Sequence, residues 1–329
     1  MAIRRDDLPK DAAELFKKWE TMGTKFKVPK DNQEPMEKIS TTTLGEQMRL
    51  AQEKVENLDP KSKRELLEAV KQKTPLYRIE MFSPEELMEA MKTIGEWALA
   101  NGGAPQSPKE ALEKRGWLFP YLMGYDQLAT GRWNYWIDIL EKNTLEGSGP
   151  IPQIEWSHDR NSIHQVRKML FNCIDGVWHE GVGPNEFADW LLWGLGAADE
   201  PPKISDKVSE HWYRTFDLAL VLLHPTDYLS GLLEDLSSKG HKQALGYFST
   251  PMDVTTMMAE MVVGNHENRE EMKTKTVNEP CVGCGAMLLP MSNYTLFGCG
   301  QDINPVAVKF CIIQMYWYAP WYAKNPFHK

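Results

Sequence analysis

Apolar positions recur at intervals of three and four along most of the chain before residue 240, the spacing of helices that bury one face. Met48, Ala51, Val55 and Leu58, then Leu66, Leu67 and Val70, predict two helices between Thr43 and Lys73, with Asp59 capping the second and Pro60 in its first turn. Ser83-Pro84-Glu85-Glu86 has the form of a capping box and opens a helix with Leu87, Met91, Ile94 and Ala98 on one face. The same periodicity predicts helices over Pro108 to Arg115, Trp133 to Leu140, Ile163 to Ile174, Asn185 to Leu195, Val208 to Leu222 and Thr226 to Leu236. Their connections are rich in Gly and Pro, as in Gly147-Ser148-Gly149-Pro150, Gly181-Val182-Gly183-Pro184 and Glu200-Pro201-Pro202. Residues 1–40 are polar and dotted with Lys, Pro and Asp, an arm with one short helix near Ala12 to Met22.

After residue 240 the pattern changes. Gly246-Tyr247-Phe248-Ser249-Thr250-Pro251 precedes an amphipathic helix from Met252 to Val263. Thr276-Val277-Asn278 reads as a short strand running into Glu279-Pro280-Cys281-Val282-Gly283-Cys284-Gly285, and Ala286 to Leu289 begins a helix. Tyr294 to Cys299 reads as a second strand ending in Gly300-Gln301-Asp302-Ile303-Asn304-Pro305, with a helix to about Trp317. The expected organisation is a polar arm (1–40), a helical domain (41–225) and a partial α/β domain (226–329).

Composition narrows the chemistry. Hydrophobic residues make up 42% and charged residues 25% of 329, ample for a sizeable core. No apolar run approaches the ~20 residues of a membrane span, and the N-terminus lacks the apolar stretch of a signal peptide. A cytoplasmic location is therefore expected. Cys173, Cys281, Cys284, Cys299 and Cys311 form an odd set, which points to reduced thiols. The net charge of −9 brings no general attraction to nucleic acid, so binding DNA requires a local basic face or a basic partner.

Three clusters invite a chemical reading. Trp190 and Trp193 lie three apart on a helix, the spacing of a buried stripe, although a Trp-rich surface can also stack bases or dock a partner. His158 and His164 flank Asp159 without the spacing of a metal site. The strand–glycine loop–helix–strand segment is the most informative. Gly283 and Gly285 let the loop turn tightly and let a ligand approach the backbone. Asp302 lies nineteen positions past Gly283, close to the ~20 expected of a carboxylate that accepts from both ribose hydroxyls. Ile303 beside it offers an apolar face to an adenine ring.

Gly246 to Pro251, Glu279 to Gly285 and Gly300 to Pro305 resemble, in order and interval, three successive motifs of adenine-specific (N6) DNA methyltransferases, especially the modification subunits of type I restriction systems. Asp227 to Lys242, leading into Gly246, resembles the segment those enzymes place before the first motif, so the resemblance covers about residues 225–320. It implies a class I, Rossmann-like fold that binds S-adenosylmethionine. Phe248, Thr250 and Pro251 would line the methionine side, Glu279, Gly283 and Gly285 the loop, and Asp302 and Ile303 the adenosine. Glu279 stands where the family has Asp, and Cys284 where it has Ser. A rival reading takes Cys281, Cys284, Cys299 and Cys311 as a four-thiolate zinc site. Cys311 falls mid-helix among apolar residues and Cys299 in a core-like strand, so no metal is expected.

The family's catalytic Asn-Pro-Pro-Tyr/Phe motif, which accepts from the target amino group and stacks on the flipped base, has only Asn325-Pro326-Phe327 as its counterpart. Asn325 and Phe327 lack the second Pro and follow Asp302 too closely. A sheet with two such strands leaves an open edge, so a second chain or self-association is expected to complete it. The alternatives are a non-catalytic binding or regulatory descendant, and a structural interaction module whose aromatic helices bind another protein.

Overall fold

The computed structural model describes residues 83–100, 105, 107–236, 249–264 and 269–324, which all fall in one compact unit. The helices expected between Ala12 and Lys73 lie outside these residues. Helices dominate the described chain, joined by one small parallel sheet. No helix among the described residues is long and apolar enough to cross a membrane.

The capping box forms. Ser83 N–H donates to the Glu86 carboxylate (2.9 Å) and Glu86 N–H to Ser83 Oγ (3.2 Å), which opens α1, Pro84–Ala100. Ser107 caps α2, Pro108–Glu113, its hydroxyl accepting from Glu110 N–H (3.2 Å). A helix the periodicity did not reveal follows: α3, Phe119–Ala129. Its buried positions include Pro120, Leu122, Met123, Gly124, Asp126 and Leu128, so it is covered on several sides and lacks a single apolar stripe. A Cβ on Gly124 would lie 2.6 Å from Ile94 Cγ2, so glycine permits the close crossing of α1 and α3.

Next come α4, Arg132–Lys142, α5, Arg160–Asp175, and α6, Pro184–Gly194. The single helix expected over Val208 to Leu222 is two: α7, Asp206–Thr215, and α8, Leu218–Leu223. Phe216 is extended between them, and the Asp217 carboxylate accepts from Leu220 N–H (3.1 Å), starting a new helix where one face alone predicted continuity. The chain continues through α9, Leu229–Leu236, α10, Met252–Val263, and α11, Arg269–Lys273. Strand β1, Thr276–Glu279, and α12, Leu288–Met291, then lead to β2, Phe297–Gly300, parallel to β1 with Thr276 opposite Phe297 and Glu279 opposite Gly300. Helices α13, Pro305–Tyr318, and α14, Pro320–Ala323, follow. β2 starts later than expected because Tyr294 and Thr295 N–H both bond back to Met291 O, continuing the turn out of α12.

The core is aromatic. Trp190 and Trp212 are wholly buried with ring centroids 5.8 Å apart, Phe187 meets Trp212 edge-on at 5.3 Å, and Phe216 stacks on Trp317. The expected stripe of Trp190 and Trp193 is buried, while Trp178 stands on the surface, 54% exposed.

Arg132 holds this helical body to the sheet. Its buried guanidinium donates to Pro152 O (2.8 Å), Ser292 Oγ (2.7 Å), Tyr318 O (2.7 Å) and the Asn293 side chain, and it lies 4.9 Å from the Trp321 ring centroid. A buried charge survives only when its donors are satisfied, and here the acceptors come from the loop after α4, the α12–β2 turn and the end of α13.

Candidate functional site

The glycine loop and Asp302 are brought side by side by an extension of the parallel pairing. Gln301 N–H donates to Glu279 O (3.1 Å) and Val282 N–H to Gln301 O (2.9 Å), beyond the ends of both strands. Gly283 then turns with φ +52° and Gly285 with φ +99°, a backbone that L side chains rarely adopt. A Cβ on Gly285 would meet Met315 Cε at 2.8 Å and Cys311 Sγ at 3.0 Å, so the loop packs on α13 only with glycine there.

Gly283 N–H donates to Asp302 Oδ2 (2.9 Å) and Asn304 N–H to Oδ1 (2.8 Å). The Glu279 carboxylate accepts from Cys281 N–H (3.0 Å), and Gly285 N–H bonds to Val282 O (2.8 Å). The N–H groups of residues 281, 282, 283 and 285 are therefore used inside the loop. A phosphate cradle would turn such groups toward the ligand. This loop presents carboxylate oxygens, each with a further lone pair, and an isoleucine, Ile303, that is 81% exposed. That set suits a nucleoside with hydroxyl donors and an apolar ring.

A buried amide fastens the loop from behind. Gln314 of α13 donates to Cys284 O (2.8 Å) and Asp227 Oδ1 (2.9 Å), and its oxygen accepts from Tyr228 N–H (3.1 Å) and Leu229 N–H (3.4 Å). It therefore ties the glycine loop to the start of α9. At the far end of α9, Glu234 bonds to Ser249 Oγ, which leads directly into Thr250 and Pro251 and α10. Thr250 and Pro251 are at the surface or close to it. Burial raises the Asp227 carboxyl above the usual range, against its bonds to Ser230 and Gln314. Neither Gln314 nor Asp227 stood out in the sequence. The available signal was one amide inside the apolar run Phe310-Cys311-Ile312-Ile313-Gln314-Met315.

Of the proposed adenosine and loop residues, Glu279, Gly283, Gly285, Asp302 and Ile303 share one loop cluster; Phe248, Asn325 and Phe327 lie outside the described residues. Cys281 and Cys299 are exposed, Cys284 and Cys311 buried. Burial, reinforced by the carboxylates of Asp227 and Asp302, pushes the Cys311 thiol up to about 12. No group of three or more His, Cys, Asp and Glu side chains among the described residues is placed to share a metal. His158 instead lies 3.4 Å from Asp253 in the first turn of α10, with its ring and the carboxylate both exposed.

The outer side of α10 is apolar and uncovered. Val254, Met257, Met258, Met261 and Val262 are exposed, while Thr255, Ala259 and Val263 face inward toward Met291 and Tyr294. No family model, curated protein or solved structure matches this chain.

Proposed function

We propose that this chain binds S-adenosylmethionine and serves adenine methylation in DNA, as a cytoplasmic component of a restriction-modification type of system. The hydrogen bond from Gly283 N–H to the Asp302 carboxylate carries the reading. It joins the glycine loop to the acidic end of the neighbouring parallel strand, the arrangement a ribose needs. Ile303 supplies the apolar contact for adenine, and Glu279 a second carboxylate. The cofactor would supply an electrophilic methyl group; the chain's own residues bind and orient its adenosine end.

In this reading β1 and β2 are the first two strands of a doubly wound, class I methyltransferase sheet. Parallel sheets are normally covered on both faces and paired at their edges. A second chain or a second copy of this one completes the sheet, lies against the apolar side of α10, and brings the loop that receives the flipped adenine. A second reading, a non-catalytic descendant, keeps the same Gly283–Asp302 nucleoside site as a sensor. The apolar stripe of α10 also suits a third, an interaction module without a ligand.

Calorimetry with S-adenosylmethionine tests the proposal. Saturable binding is expected, lost in Asp302→Ala and weakened roughly tenfold in Ile303→Ser, a loss of about 1–2 kcal/mol of apolar contact. Ile303 makes no internal bond, so its variant separates ligand contact from loop collapse. Absence of binding by the unaltered chain sinks the cofactor site and leaves the interaction module.

A further inference from the structure

An acidic chain that acts on DNA needs a local cationic face, and α5 carries one. Arg160, His164, Arg167 and Lys168 are all exposed along this helix, and Phe171 (39% exposed) and Trp178 just beyond its end continue the surface. Arg160, His164, Lys168 and Phe171 are spaced by four, four and three residues, so they share one side of the helix. Arg160 and Lys168 are separated by about 12 Å along the axis.

The pairing of the cations sets this helix apart. On other described helices the exposed lysines and arginines meet a carboxylate, as in Lys92–Glu96, Lys142–Asp138 and Arg214–Glu210. Arg167 turns its guanidinium toward Gly231 of α9, where its charge favours ionisation of the buried Asp227 carboxyl. Among the described residues, Arg160 and Lys168 form no ion pair, and the acidic groups nearest them are engaged elsewhere. Asp159 caps the helix, accepting from Asn161 N–H, Ser162 N–H and Ser162 Oγ, and Glu180 is bound by Lys207. Among the described residues, Asp175, the last residue of α5, is the carboxylate on this side of the helix. A protein with net charge −9 that leaves Arg160 and Lys168 unpaired on one side of a helix keeps a surface whose counterions are small, exchangeable ions.

The face also begins beside the candidate cofactor site. His158, one residue before the cap of α5, contacts Asp253 at the start of α10, directly after Thr250-Pro251. We propose that the exposed side of α5 is a DNA-binding surface leading away from the cofactor motif. Arg160 and Lys168 receive backbone phosphates, and Phe171 and Trp178 stack on bases that have left the duplex. The assignment of DNA as the polyanion rests on the methylation reading; the cationic face itself does not.

Fluorescence anisotropy with a labelled oligonucleotide, single-stranded or duplex, tests this on the full chain without cofactor. The expected result is salt-dependent binding that Arg160→Glu/Lys168→Glu weakens roughly tenfold or more, with the logarithmic salt slope reduced by about 2. Phe171→Ala/Trp178→Ala is expected to weaken the single strand more than the duplex. Lys203→Glu, which alters an exposed lysine in the loop before α7, is the control and leaves binding unchanged. Unaltered binding in the double charge reversal, or equal loss in Lys203→Glu, overturns the proposal, as does absence of binding by the unaltered chain at low salt. Circular dichroism melts of the variants confirm that each is folded. Cofactor binding without DNA binding defeats the face alone; DNA binding through α5 without cofactor binding supports the face and defeats the cofactor site.

Discussion

Between Phe119 and Leu236 the chain spends its large side chains on burial: Trp136, Trp190 and Trp212 are fully enclosed, and the Trp212 indole N–H is bound to Cys173 O at 2.7 Å. Between Thr276 and Asn304 the opposite holds on the outer side of the loop, where carboxylates, two thiols and Ile303 stand at or near the surface. The helical body resists change because each aromatic ring touches several others and leaves a cavity when removed. The glycine loop owes its shape to a few hydrogen bonds and two glycines. Arg132 and Gln314 are where the two regimes meet.

Four changes break or sharpen that contrast. Arg132→Met is expected to cost the most, about 3–5 kcal/mol in urea unfolding, because acceptors from three segments and the buried Asp126 carboxylate lose their cation together. A loss below about 1 kcal/mol would mean that the body and the sheet are joined by apolar packing alone.

The next effect comes from pH. Burial holds the Asp126 carboxyl up to about 6, despite the Thr130 hydroxyl, the Trp133 N–H and the Arg132 charge, all of which favour ionisation. An unfolded aspartate titrates near 3.9. The folded chain therefore takes up this proton first as pH falls. The resulting stabilisation is complete below about 4 and lost as pH rises through about 6. Relative to Asp126→Asn, the unaltered protein should gain roughly 2–3 kcal/mol between pH 7 and pH 4 in denaturant titrations. A loss over the same range would show that the Arg132 charge, and not burial, governs this carboxyl.

Gln314→Leu is expected to cost about 2 kcal/mol and also to weaken S-adenosylmethionine binding, because Cys284 O and the first N–H groups of α9 lose their shared partner. Full cofactor affinity in a destabilised Gln314→Leu chain would show that the glycine loop holds its shape without the clamp. The smallest effect on stability belongs to Ile303→Ser, within about 0.5 kcal/mol by thermal melting, since the side chain is 81% exposed. A clear drop in melting temperature would place Ile303 in the core and remove it as a ligand contact.

The Ser83–Glu86 capping box was legible because both partners lie within one turn of the chain, and the structure forms it. Gly283 and Asp302, singled out by their spacing, meet through one strand–loop–strand unit. Position along the chain sufficed for them. It failed at α3, whose burial on several sides erases the 3.6-residue period, and at Phe216-Asp217, where a capping carboxylate outcompetes continued helix.

The sequence by itself determined that helices dominate, that a glycine loop joins a strand to a helix, and that a carboxylate follows nineteen positions past Gly283. Tertiary structure alone decided which polar groups hold the parts together: Arg132, 160 positions from Ser292, and Gln314, 87 from Asp227. It also decided which cations remain unneutralised on α5. Periodicity reports which side of an element is buried. The partner that a buried donor finds, or that an exposed charge lacks, depends on segments far apart in the chain arriving within hydrogen-bonding distance.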